Sequence, residues 1–152
     1  MISKILVPSD GSESALEAAT YAAGLARQFG AEVTLLHVVE VPRLPVGLGG
    51  FSLKDSETVR QDLFDVGHAI LAMTQKPFAQ AGIPIETELR EGRAADAIVE
   101  VATQGHHDLI VIGSRGVSST AHLFLGSVSE KVARRAPCPV LIVRRGTADT
   151  AW

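Results

Sequence analysis

Aromatic residues make up only 5% of this 152-residue chain, although 46% of it is hydrophobic. A core drawn from such a sequence must be aliphatic. Short runs of Val, Ile, Leu and Ala suit a parallel sheet covered by helices on both faces. The single cysteine, Cys138, excludes an internal disulfide and fits a reducing compartment. Fourteen basic residues stand against seventeen acidic ones, for a net charge of −3. A general nucleic-acid surface needs a basic excess, so that class is excluded. No apolar run approaches the roughly 18 residues of a membrane span. The opening Met1-Ile2-Ser3-Lys4 enters a strand pattern directly, without the regions of a signal peptide. The expectation is a soluble cytoplasmic protein with neither membrane nor nucleic acid as partner.

What is present alternates between strand and helix patterns, which predicts one α/β domain over 1–145 and a flexible tail over 146–152. Ile5-Leu6-Val7, stopped by Pro8, reads as a buried strand, and Asp10-Gly11-Ser12 as a turn. A helix follows from about Glu13 to Phe29, with Leu16, Ala19, Ala23 and Ala26 inward and Gly30 at its C-cap. Val33 to Val39 is the second strand. The stretch from Val41 to about Ser52 is rich in Pro and Gly and reads as a loop, either a binding loop or a plain connection. A long helix is predicted from near Lys54 to Ala81, with Leu63, Val66, Ile70 and Met73 inward and Phe78 as an anchor. Pro77 should kink it or end it early. Ile85 to Arg90 alternates apolar and charged residues, as an edge strand does. Gly92 to Gln104 is the next helix, with Ala94, Ile98 and Val101 inward. Leu109 to Ile112 is the fourth strand, about Gly126 to Arg135 the last helix, and Val140 to Val143 the last strand. Together these give a doubly wound five-stranded parallel sheet in the order 3-2-1-4-5, helices on both faces. In that order a ligand belongs at the C-terminal ends of the first and fourth strands.

The fourth strand runs into Gly113-Ser114-Arg115-Gly116, and nine residues later comes Gly126-Ser127-Val128-Ser129. A strand, a glycine-bearing loop and a helix start make a phosphate site. Glycine lets the backbone approach an anion, and the first-turn N–H groups and the helix dipole favour negative charge. The hydroxyls of Ser127 and Ser129 add donors. The pattern is not a P-loop, because no lysine follows the glycines, and it is not G-x-G-x-x-G.

The spacing G-x2-G-x9-G-S resembles the ATP-binding signature of the universal stress protein family. The likeness extends to Lys4 through Ser12, to Leu35-Leu36-His37-Val38-Val39, to Asp108 through Ser114 and to Pro137 through Val143. It implies a protein that binds ATP, with Mg²⁺ accompanying the phosphates, and acts as a nucleotide-dependent stress-response switch or chaperone-like factor. At most weak ATP hydrolysis is implied. Adenosine would lie against Pro8, Ser9, Asp10 and Val38. The phosphates would lie on Gly113, Arg115, Gly116, Gly126, Ser127, Val128 and Ser129. It also implies a homodimer formed by the last strand, Val140-Leu141-Ile142-Val143, and a protein partner of unknown identity.

Simpler roles compete at each position. Asp10 with Glu13 fits a capping box, Ser127 a helix cap and Val38 a core residue. Arg115, His122, Arg144 and Arg145 fit solvated charges. His106-His107-Asp108 lacks a metal-binding partner at suitable spacing and reads as a helix end followed by a strand start. Cys138 reads as a small apolar side chain. Two other functions stay open: a phosphohydrolase or nucleotidyl transferase using Asp10, and an interaction module whose glycines are structural. A flavodoxin-like carrier is disfavoured by the shortage of rings to hold a flavin.

Overall fold

In the first strand, alternate residues serve opposite faces: Ile5 and Val7 pack under one helical layer, Leu6 under the other, and all three are fully buried. Burial on both sides is what a near-continuous apolar run encodes. The computed structural model describes residues 1–43, 47, 50, 52–115 and 125–144. Within them run β1 (Lys4–Pro8), α1 (Glu13–Phe29), β2 (Glu32–Val39), α2 (Leu53–Thr74), α3 (Lys76–Gln80), β3 (Ile85–Glu91), α4 (Ala94–Gln104), β4 (Leu109–Gly113), α5 (Ser127–Arg135) and β5 (Val140–Val143). The strands form one sheet in the order β3-β2-β1-β4-β5, and every neighbouring pair is parallel. This is the predicted topology, with β3 at one edge and β5 at the other. The predicted tail and Arg145 lie outside the described residues.

One face of the sheet carries α1, α2 and α3, with Ile5, Val7, Val33, Leu35 and Val111 meeting α1 alanines and the fully buried Phe78. The other carries α4 and α5, with Leu6, Leu36, Ile110 and Ile112 meeting Ile98, Val101 and Val132. Alanine on α1 is what lets that helix lie close to the strands: Ala15, Ala18, Ala19, Ala22, Ala23 and Ala26 are all buried, whereas the expected Leu16 is only half-buried. Gly30 ends α1 in the left-handed region at φ 66, as its place in the sequence predicts.

The long helix differs from expectation in two ways. Pro77 does end it early: α2 stops at Thr74 and α3 restarts at Lys76 with the proline in its first turn. Its buried face is also turned by about one position. Gly67, Leu71 and Thr74 face the sheet, while Val66 is 55% and Met73 37% exposed. The cause is Gly67. A Cβ there would lie 2.9 Å from His37 Cδ2 and 2.9 Å from Leu89 Cδ1, so the helix approaches β2 and β3 along its glycine. Gly67→Ala should cost about 1 kcal/mol net, overpacking outweighing alanine's better helix propensity. Urea unfolding should show a lower midpoint at unchanged slope. The fourth helix starts at Ala94, not Gly92. Ala94 is only half-buried, and Ala95, Ala97, Ile98, Val101 and Ala102 form the inner face.

The end of the sheet opposite the strands' C-termini is clasped by Asp108. Its carboxylate accepts from the Ser3 hydroxyl at 2.6 Å and from the backbone N–H groups of Ser3 and Lys4. Burial alone would raise its pKa. The hydrogen bonds from Ser3 and Lys4 outweigh burial and hold it below the usual carboxylate value. His107 beside it is buried, with Nε2 3.1 Å from Thr34 Oγ1 and Nδ1 without a hydrogen-bond partner. Burial first, and then the charge of Lys4, push its pKa below 6.5. The folded protein therefore takes up a proton here less readily than the unfolded chain. Stability should fall as pH drops below about 6.5, by at most about 1.4 kcal/mol per pH unit, until the folded pKa is passed. Urea titrations at pH 7.5 and 5.5 should show the fall, and His107→Gln should flatten it. Asp108 acts in a lower window: its contribution is complete above about 3.8 and is lost as pH falls through its depressed folded value.

Candidate functional site

A cleft of about 630 Å³ opens over the C-terminal ends of β1, β2 and β4. That volume lies within the usual range of small-molecule sites. Pro8, Ser9, Asp10, Val38, Gly113, Arg115, Gly126, Ser127, Val128 and Ser129 all line it, drawn together from three strand ends and one helix start. Gly116 and His122 lie outside the described residues. The floor is apolar, with Leu36, Ile98 and Ile112 between the polar rims.

The β1–α1 turn is held by a chain of hydrogen bonds. Gly11 N–H donates to Ser9 Oγ at 3.2 Å, Ser9 Oγ lies 2.8 Å from Thr74 Oγ1, and Thr74 donates to the Ile70 carbonyl at 2.8 Å. Because Thr74 spends its proton on Ile70, Ser9 is the donor in the middle link. The Ser9 carbonyl lies 2.7 Å from His37 Nδ1. A carbonyl only accepts, so His37 carries its proton on Nδ1. Asp10 is exposed, and its Oδ1 accepts from Ser12 N–H at 2.9 Å. The capping box expected of Asp10 and Glu13 is therefore absent. Ser12 is the N-cap, accepting from Ala15 N–H at 3.3 Å. Asp10 instead braces the turn with one carboxylate oxygen, at the mouth of the cleft.

Gly113 sits where β4 meets the start of α1. A Cβ on it would lie 2.6 Å from Ser14 Oγ and 2.7 Å from both Ala15 N and Ser14 C. The next residues are tied to the same helix, with Ser14 Oγ donating to the Arg115 carbonyl at 2.6 Å. Ser114 closes the base of the glycine loop. Its carbonyl accepts from Gly126 N–H at 2.7 Å and from Ser129 Oγ at 2.8 Å, and its own N–H donates to the Val143 carbonyl at 2.8 Å. The Ser129 hydroxyl, expected as a ligand donor, is thus buried and directed at the backbone. Ser127 is not a cap. Gly126 occupies the N-cap position, and no side chain among the described residues caps α5.

Three helices begin at this cleft, and their first turns are treated differently. Ser12 caps α1. Glu40, at the end of β2, accepts from the first N–H of α4, Ala94, at 2.7 Å. Among the described residues, α5 alone of the three begins without a side chain accepting from its N–H groups. Those groups have no intrahelical partner and carry the positive end of the helix dipole.

A family model described as the universal stress protein family matches residues 1–144. The universal stress protein MJ0531 of Methanocaldococcus jannaschii is 39% identical over 142 residues, covering 93% of this chain and 82% of its own length. The chain belongs to the universal stress protein family. Its fold is shared with the universal stress protein UspA from Lactobacillus plantarum, at 30% identity and TM-score 0.79, covering 93% of this chain and 97% of that one. A universal stress protein crystallised in complex with cAMP is also 30% identical, with TM-score 0.69, covering 93% and 96%.

In this universal stress protein, sequence reasoning missed three polar lining residues. Glu40 was hidden because a lone acidic residue after a strand carries no motif, and its bond to Ala94 spans 54 positions. His37 follows two leucines in a strand, and nothing local predicts its contact with Ser9, 28 positions away. Ser12 had a readable signal: serine directly before a helical run is among the strongly preferred caps. The three-residue cluster His106-His107-Asp108 holds no metal geometry, and no group of three candidate ligands occurs among the described residues.

Proposed function

We propose that this universal stress protein binds an adenine nucleotide, ATP with Mg²⁺, in the cleft at the ends of β1, β2 and β4. It would act as a nucleotide-dependent switch or chaperone-like factor. The observation that carries the reading is the start of α5, the one helix N-terminus at the cleft that lacks a side-chain acceptor among the described residues. An anionic group placed there meets the unpaired N–H groups of Ser127 and its neighbours. The apolar floor of Leu36, Val38 and Ile112 leaves room for a planar base at the other end, beside Pro8 and Asp10. A relative 30% identical was crystallised with cAMP, which is chemically an adenine ring, a ribose and a phosphate. Mg²⁺ fits as a companion of the phosphates: it takes one or two carboxylates and keeps its other ligands from phosphate and water. Asp10 and Glu40 are the carboxylates lining the cleft. The edge strand β5, with Leu141 37% exposed, is the proposed homodimer contact.

The test begins with the nucleotide content of the purified protein, read by chromatography after denaturation. Stripped protein is then titrated with ATP and with cAMP by calorimetry, with and without Mg²⁺. Saturable binding that Ser127→Asp removes supports the reading. No co-purified nucleotide and no heat of binding with either ligand overturns it.

A further inference from the structure

The outer side of α2 carries five apolar residues spaced four, three, four and three apart: Val59, Leu63, Val66, Ile70 and Met73. At 100° per residue they fall within about 80° of one another, a stripe beside the face that packs on the sheet. This is the a/d spacing of a helix that meets another helix. Yet inside the domain the stripe is only partly covered. Val66 at its centre is 55% exposed and Met73 37%, with the other three half-buried. Ile70 and Met73 close over Gly11 in the β1–α1 turn, but that packing does not account for a heptad seam whose middle residue, Val66, faces water.

We infer that α2 pairs with α2 of a second copy of this chain, antiparallel, about a two-fold axis at Val66. The seam is self-complementary only in that sense. Antiparallel pairing centred on Val66 sets Leu63 against Ile70 and the small Val59 against the long Met73. The flanking charges make the same choice. Asp55 and Asp62 lie on the outer flank toward the N-terminal end, and both are exposed. Lys76 is exposed on the same flank just past the C-terminal end, where Gln75 keeps helical angles. Antiparallel pairing places Asp55 of one copy beside Lys76 of the other, and Asp62 beside the exposed Ala69. Parallel pairing would turn the Asp55–Asp62 flank away from the partner's Lys76 and would align the two helix dipoles. The contact is one helix wide, smaller than the roughly 800 Å² per partner of a standard stable interface. Association through it is therefore concentration-dependent. It lies on the face opposite α4 and α5 and away from the β5 edge, so it is separate from the strand-paired dimer, and the inference does not rest on the nucleotide reading although Ile70 and Met73 reach Gly11 beside the cleft.

The test is sedimentation over a concentration series together with directed cross-linking. Val66→Glu should weaken the concentration-dependent step at least about tenfold, as truncation of a central contact does, while circular dichroism and the urea midpoint stay near wild type. In a Cys138→Ser background, a mixture of Val59→Cys and Met73→Cys proteins should form a mixed disulfide under mild oxidation. Each alone should not, and His68→Cys on the opposite side of the helix should not pair either. Unchanged association in Val66→Glu with no mixed disulfide overturns the inference. Disulfides formed by Val59→Cys alone and by Met73→Cys alone overturn the antiparallel arrangement.

Discussion

Gly113→Val is expected to lower the unfolding free energy by about 3 kcal/mol or more, at the upper end of what single core substitutions do. The atoms that a Cβ would meet decide this. Two of the three are backbone, Ala15 N and Ser14 C, at 2.7 Å, and backbone in the first turn of a helix has no rotamer to change. Relief requires α1 to move off the sheet, and α1 contributes six buried alanines to the core. Valine adds two methyls to that conflict. The result separates two roles that one glycine signature merges. A glycine kept only to admit a phosphate would lose ligand and keep stability. Gly113 should lose both, and stability should fall even in stripped protein. Gly30 supplies the contrast: nothing lies within 4 Å of its added Cβ, so alanine there meets only the cost of φ 66, about 1 kcal/mol. Urea unfolding of the two variants in parallel checks the difference.

Ser127→Asp should have opposite effects on stability and on binding. A carboxylate in the first turn of α5 sits on the positive end of the helix dipole. It should raise stability by about 0.3–1 kcal/mol, since no side chain among the described residues caps that helix in the wild type. The same charge occupies the place proposed for phosphate, so nucleotide affinity should fall about 100-fold, equivalent to about 2.7 kcal/mol. A thermal melt that rises while the calorimetric signal disappears is the expected pair of readings. Loss of binding with loss of stability would point to a damaged fold instead. Affinity left intact would remove the α5 start from the site.

The sheet order was legible because each strand is a short aliphatic run bounded by helix patterns, and because the charged alternation of β3 marks an edge. Helix faces were harder. The apolar residues of α2 that repeat most regularly are not the ones that face the sheet. Glycine carries no hydrophobic signal, so periodicity could not see that Gly67 sets the contact. The glycine motif brought Gly113, Arg115, Gly126, Ser127, Val128 and Ser129 to one cleft with Pro8, Ser9, Asp10 and Val38. Spacing did not reveal which polar groups remain available within it. Ser129 is spent on Ser114, and Asp10 has one oxygen on Ser12. Those two bonds span 15 and two positions, but the frame that sets them is closed by contacts across 101 positions, such as Ser14 with Arg115, that no local pattern encodes.

The Asp108 clasp has a consequence for how the chain is made. β1 is the middle strand of the sheet, and the carboxylate that ties down Lys4 is 104 residues further along. At about 5–20 residues per second of synthesis, β1 waits roughly 5–20 s for β4 and Asp108 to follow it from the ribosome. β2 arrives early and can cover one side. The other side of β1 stays open for most of translation, an apolar strand edge of the kind that recruits neighbouring chains. Ribosome crowding and temperature during expression should therefore govern the soluble yield of this protein more strongly than its equilibrium stability does.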